Sequence, residues 1–306
     1  MKLTVLAVAA LAVVSSAQGP VAPAAADLEL TVTRFFEMAA QYSRTFRNLT
    51  VEETRVIEEF DDSGRVRKRR EIVADLVVYR PVRDADTGGT EYRDVRLVDG
   101  KAVTQRGKRA LDLITRATTR ASLEEELRLV NQESHRYEFN RHAGGFTINQ
   151  TPRTESTLRG GFRFNLVGPA QLNGHDVVEL EFREMVQRAE QPGIDRLYKG
   201  MGITSFFERG RVWLDATTHQ LRRGRFEFAG VHTALGAPVE LVGIESTYVE
   251  SRFGILVPER TVVEFYENRK SKAKPVFALA ARTTYTYGAF RQFGVTTDAS
   301  LNPDEP

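Results

Sequence analysis

The sequence predicts an α+β protein: a curved antiparallel sheet of about ten or eleven strands, open or half-barrel in shape, packed on an amphipathic N-terminal helix. Three observations predict it. Leu28, Val32, Phe35, Phe36, Ala39, Tyr42 and Phe46 recur at three- and four-residue steps, the period of one helical stripe. From Gly161 onward, apolar residues alternate with charged ones in runs of six to eleven residues separated by short polar or glycine turns. The pairs Asp99-Gly100 and Asn173-Gly174 stand between β-prone runs, where tight type I′ turns reverse the chain.

The chain opens with Lys2 and an apolar run from Leu3 to Val14, followed by the small residues Ser15, Ser16 and Ala17. This is the plan of a secretory signal peptide, residues 1–17, with cleavage expected between Ala17 and Gln18 or, as a second choice, after the cluster Ala24 to Ala26. The run is shorter than the ~20 residues a spanning helix needs, so it reads as an address rather than an anchor. Residues 18–26, rich in proline and alanine, form a linker. Asp27 then offers an N-cap to the helix from Leu28 to Phe46.

A single domain is expected over residues 27–297. Val51 to Phe60, the turn Asp61 to Gly64, and Arg65 to Tyr79 read as a long hairpin, and Tyr92 to Val98 continues it. The period then changes. Lys108 to Arg116 reads as a short helix, and Ser122 with Glu125 forms a capping box opening a second helix to about Arg136, so residues 108–136 form a helical insertion. Phe162 to Phe182 is a hairpin about Asn173-Gly174. Phe206 to Leu214, Gln220 to Phe228, Val239 to Val249, Leu256 to Tyr266 and Val276 to Tyr287 follow as a meander with one wet and one covered face. Gly254 and Pro258 are expected to limit pairing at a sheet edge. Residues 298–306 form a frayed tail.

Composition excludes several chemistries. With 0 cysteines there is no disulfide, thiolate metal site, cysteine nucleophile or acylated lipobox. The formal net charge is +2 although 27% of residues are charged, so both signs interleave and a nucleic-acid partner is not indicated. The five histidines, His135, His142, His175, His219 and His232, show no zinc-ligand spacing, and no metal or cofactor is implied. Asp84, Asp86 and Gly88 resemble the start of a calcium loop, but Val95 stands where its bidentate glutamate belongs. No Gly-x-Ser-x-Gly elbow or other nucleophile–base pair supports a hydrolase, so the protein is read as a non-enzyme. Two basic clusters remain, Arg65, Arg67, Lys68, Arg69 and Arg70 on one hairpin limb, and Lys270, Lys272 and Lys274 in a loop. They could meet anionic lipid headgroups, or they could be solvated charges that discourage edge pairing.

Four groups of residues carry a resemblance. They are Arg93-Asp94-Val95 with Val98 to Lys101, Gly210 to Asp215 with Leu221 to Arg223, Phe253 to Glu259, and Tyr287 to Phe293. Over roughly residues 34–297 the chain resembles a family of uncharacterised exported bacterial proteins. More remotely it is similar to the periplasmic outer-membrane lipoprotein carrier and a related envelope-stress regulator. That resemblance implies an unclosed antiparallel barrel wrapped around helices and a concave apolar side that takes acyl chains, while the signal peptide leads to a periplasmic or secreted location. Phe226, Phe228, Val242, Ile244, Tyr248, Val263, Phe265, Tyr285 and Tyr287 are the candidate lining of that side. The alternative is an envelope protein-interaction or scaffold module whose core is filled by its own helix. Contact with a membrane is expected to be peripheral at most.

Overall fold

A computed structural model describes residues 25–45, 49–79, 90–103, 132, 134–138, 161–190, 198, 200–269 and 275–292. The signal peptide with Ala17 and Gln18, the segment of Asp84, Asp86 and Gly88, the lysine cluster, the tail and most of the helical insertion lie outside these residues.

The helix α1 spans Ala25–Thr45. It starts inside the stretch expected to be linker. Asp27 therefore sits in the first turn rather than at the cap, where its carboxylate still faces the positive end of the helix dipole. Val32, Phe35 and Phe36 are its buried stripe, packed with Leu180, Val212 and Leu214.

The strands are β1 (Leu49–Phe60), β2 (Val66–Tyr79), β3 (Thr90–Val98), β4 (Lys101–Ala102), β5 (Phe162–Leu172), β6 (His175–Glu184), β7 (Ile203–Asp215), β8 (Leu221–His232), β9 (Ala237–Glu250), β10 (Leu256–Arg269), β11 (Val276–Tyr287) and β12 (Arg291–Gln292). They form one open antiparallel sheet in the order β4-β3-β2-β1-β11-β10-β9-β8-β7-β6-β5, with β12 pairing β1 beyond the end of β11. Neighbours on this path are consecutive in the chain except β1 and β11, which join strands from near its two ends.

The strand beyond the expected count is β12. Its two residues pair with Leu49 and Thr50 because Gly288 turns the chain by donating its N–H to the Glu52 carbonyl and Phe290 is buried in the core. The turns are those the sequence names: Asp99 and Gly100 have φ of 50° and 75°, and Asn173 and Gly174 of 52° and 81°, both pairs left-handed as a type I′ turn requires. Pro258 departs from expectation. It lies in β10, an interior strand, at a register shift between Pro258 and Arg260, which excuses its missing donor where an edge would have done so.

In the helical insertion, Gln132 and Ser134 are helical and residues 135–137 form a turn, so that helix ends slightly earlier than expected. The segment rests on the β1–β3 end of the sheet. The Arg93 N–H donates to Ser134 Oγ (3.1 Å), and Arg70 Nη1 donates to the Tyr137 carbonyl (2.8 Å).

Candidate functional site

Strand register brings the sequence-chosen apolar residues onto one face in rows. Phe226 on β8 pairs with Ile244 on β9, Ile244 with Val263 on β10, Val263 with Thr283 on β11, and Thr283 with Ile57 on β1. A second row runs Phe228, Val242, Phe265, Ala281. Five strands at ~4.8 Å spacing make the first row about 19 Å long. Val242, Val263, Phe265, Tyr285 and Tyr287 are buried, whereas Phe226, Phe228, Ile244 and Tyr248 are half-buried.

The half-buried residues mark a boundary between two cores. Phe228 and Ile244 border the cluster centred on β9, β10, β11 and β1, and Phe226 borders the cluster under α1. Two glycines let the aromatic rings settle there. A Cβ at Gly210 would overlap the Phe182 ring and the Arg225 carbonyl, and one at Gly224 would overlap the Phe226 ring. Phe182 and Phe226 accordingly lie with ring centroids 5.5 Å apart.

Alongside the first row, on the side away from the second, runs a polar stripe: Ser246 and Thr261, whose hydroxyls are 2.9 Å apart, then Tyr285, then Arg55. The stripe ends in a buried charge cluster. Arg93 donates to both Glu53 oxygens (2.8 and 3.2 Å) and to Glu91 (3.1 Å). Arg55 Nε lies 3.2 Å from Glu53, and Arg55 Nη1 reaches Glu138. His135 Nδ1 is 2.7 Å from that same Glu138 oxygen. Glu53 and Arg55 are 0% and 1% exposed, deep enough that an uncompensated charge would be costly.

The electrostatics follow from that burial. Desolvation works against the Arg93 cation, but the adjoining carboxylates of Glu53 and Glu91 outweigh it and hold its pKa well above the ordinary value. Desolvation pushes the Tyr285 and Tyr287 phenols up, and it raises Tyr248 to about 12. The Tyr287 hydroxyl, on a residue 7% exposed, makes no hydrogen bond among the described residues. It feels the charges of Glu53 and Arg93 and packs against Phe290, so it stands where the apolar core meets the charge cluster.

Sequence reasoning missed this cluster, although a signal was present. Glu53 and Arg55 share the alternation of Val51 and Ile57, and Arg93 that of Val95, so their positions belong to the covered face.

The basic hairpin limb, a candidate either for contact with anionic headgroups or for solvated charge, is accompanied by carboxylates along its length. Arg67 and Lys68 pair with Glu59, Arg69 with Glu71, Arg70 with Asp99, and Arg65 lies 3.7 Å from Asp61. Trp213 lies on the opposite, outer face, donating to Glu179 (3.1 Å) beneath the Arg223 guanidinium. Among the described residues no three of His, Asp or Glu converge where they could hold a metal ion. No helix among them is long and apolar enough to cross a membrane.

No protein-family model matches the chain, and no curated protein matches it. Solved structures do. The chain is similar to a domain of Vibrio parahaemolyticus named for outer membrane lipoprotein sorting, with 12% identity, coverage of 87% of this chain and 95% of that one, and a TM-score of 0.41. It is similar to a DUF1329 family protein from Desulfovibrio piger, with 13% identity, 89% and 95% coverage, and a TM-score of 0.32. It is also similar to the Mycobacterium tuberculosis lipoprotein LppX, with 9% identity, 88% and 99% coverage, and a TM-score of 0.27. The first of these is named for the kind of protein to which the sequence bears its remote resemblance.

Proposed function

We propose that this is a non-catalytic exported protein, periplasmic in location, that holds an amphipathic, acyl-bearing ligand on the covered face of its open sheet. The acyl chain would lie along the half-buried boundary of Phe226, Phe228 and Ile244 and continue over Val263. Its polar end would reach the stripe that leads through Tyr285 to the Glu53–Arg93 cluster. The observation that carries this reading is the Tyr287 hydroxyl, buried without a hydrogen bond among the described residues at the junction of apolar and charged surface. An unmade hydrogen bond there costs about 1–3 kcal/mol, a cost that a ligand's polar end would relieve.

One observation favours a second reading, an envelope interaction or scaffold module with a self-filled core. Val242, Val263, Phe265, Tyr285 and Tyr287 are already buried by the protein's own chain. The substitution Tyr287→Phe separates the two. The first reading expects the variant to unfold at higher denaturant than the parent, by about 1 kcal/mol, and to bind a fluorescent long-chain fatty acid several-fold more weakly. Delipidated parent protein that takes up no apolar probe would leave the scaffold reading in its place.

A further inference from the structure

The outer face carries an arrangement that neither the fold nor the covered-face ligand explains. Arg163 on β5 stands opposite Arg183 on β6, and Arg183 stands opposite Arg209 on β7. Like charges directly opposite one another across neighbouring strands are destabilising. Only one of the three is neutralised, Arg209 by Glu227 at 2.7 Å. Arg183 lies over the Phe207 ring at 4.7 Å, and neither it nor Arg163 has an ion-pair partner among the described residues. The contrast with the hairpin limb is direct, since every cation there has a carboxylate beside it.

Two further observations say what the row faces. A cleft of about 590 Å³ opens on this face, lined by Arg163, Arg183, Arg209 and Trp213 together with Glu181 and Glu227. Past Glu184, at the end of β6, come Met185 and Val186, 53% and 66% exposed, beside the start of the edge strand β5, where the Met185 N–H donates to the Gly161 carbonyl. Unpaired arginines next to protruding apolar side chains match a surface that is anionic outside and apolar beneath.

We propose that this edge of the outer face docks on an anionic phospholipid surface, with Arg163 and Arg183 meeting lipid phosphates and Met185 and Val186 entering the headgroup layer. Arg163 and Arg183 lie on the face opposite the acyl-ligand rows, so either proposal can fail without the other.

Sedimentation of the purified protein with vesicles provides the test. Binding is expected to vesicles of phosphatidylcholine with phosphatidylglycerol, to fall steeply with salt, and to be absent with phosphatidylcholine alone. Each arginine near such a surface contributes roughly a fivefold factor, so Arg163→Ala/Arg183→Ala is expected to bind about thirtyfold more weakly. Met185→Ser/Val186→Ser is expected to weaken binding as well, while Arg67→Ala/Lys68→Ala/Arg69→Ala leaves it unchanged. The arginine double variant is expected to unfold no earlier than the parent, because it removes a repulsion. The proposal is overturned if the parent ignores anionic vesicles or binds neutral ones equally. Unchanged binding by the arginine variant, or a lowered Tm marking the row as structural, also overturns it.

Discussion

Two ion-pair networks occupy opposite faces of the same sheet, built from the same residue types. On the covered face Arg55, Arg93, Glu53, Glu91 and Glu138 have side chains 0–5% exposed. On the outer face Arg209 pairs with Glu227, Arg225 with Glu227 and Glu240, Arg211 with Glu179 and Glu181, and Arg223 with Glu245, and the arginines among them are 29–45% exposed. Water decides what each network is worth. Outside, solvent screens the charges and either partner can be lost cheaply. Inside, the desolvation of each ion has already been incurred, so the network holds only while it is complete.

The largest effect expected from this contrast is at Glu53, which touches both buried guanidiniums. Glu53→Gln removes their shared counter-charge and should lower the unfolding free energy by about 3–5 kcal/mol, read from urea denaturation. A loss below 1 kcal/mol would mean that water reaches the cluster and the two faces are alike.

Asp215 is an intermediate case, with its side chain 14% exposed at the β7–β8 turn. Burial works against its carboxylate, but the Thr218 N–H, the Arg222 guanidinium, the Thr217 N–H and the Thr218 hydroxyl together pull its pKa down to about 2. A depressed carboxylate stabilises the fold above its unfolded pKa and loses that contribution as pH falls through the folded value. Asp215→Asn should therefore cost about 1–2 kcal/mol at neutral pH, after discounting for partial exposure. The gap between parent and variant should close between about pH 4 and pH 2, as measured by thermal unfolding across that range.

The smallest effect belongs to the outer face. Arg211→Ala breaks pairs with Glu179 and Glu181, yet a change of at most about 1 kcal/mol is expected, shrinking further in salt.

The same contrast explains what the sequence could reveal. Alternation located the strands and their apolar face because each covered strand presents water on one side only, and type I′ pairs placed two hairpins. The β1–β11 pairing was not legible, since it joins residues far apart in the chain and no turn announces it. Strand β12 was missed because its partner edge, rather than its own two residues, makes it a strand. The charge cluster escaped because a charged residue in an alternating run is ordinarily read as facing solvent. Glu53 and Arg55 keep the apolar parity of Val51 and Ile57, and only a partner from β3 and the 134–138 segment makes that tolerable.

The central claim is that the covered face holds an acyl-bearing ligand, and native mass spectrometry of the protein taken from its own envelope tests it most directly. The account predicts a stoichiometric adduct of lipid mass that Tyr287→Phe depletes. Protein of bare chain mass, or a complex whose added mass is another polypeptide, would contradict it.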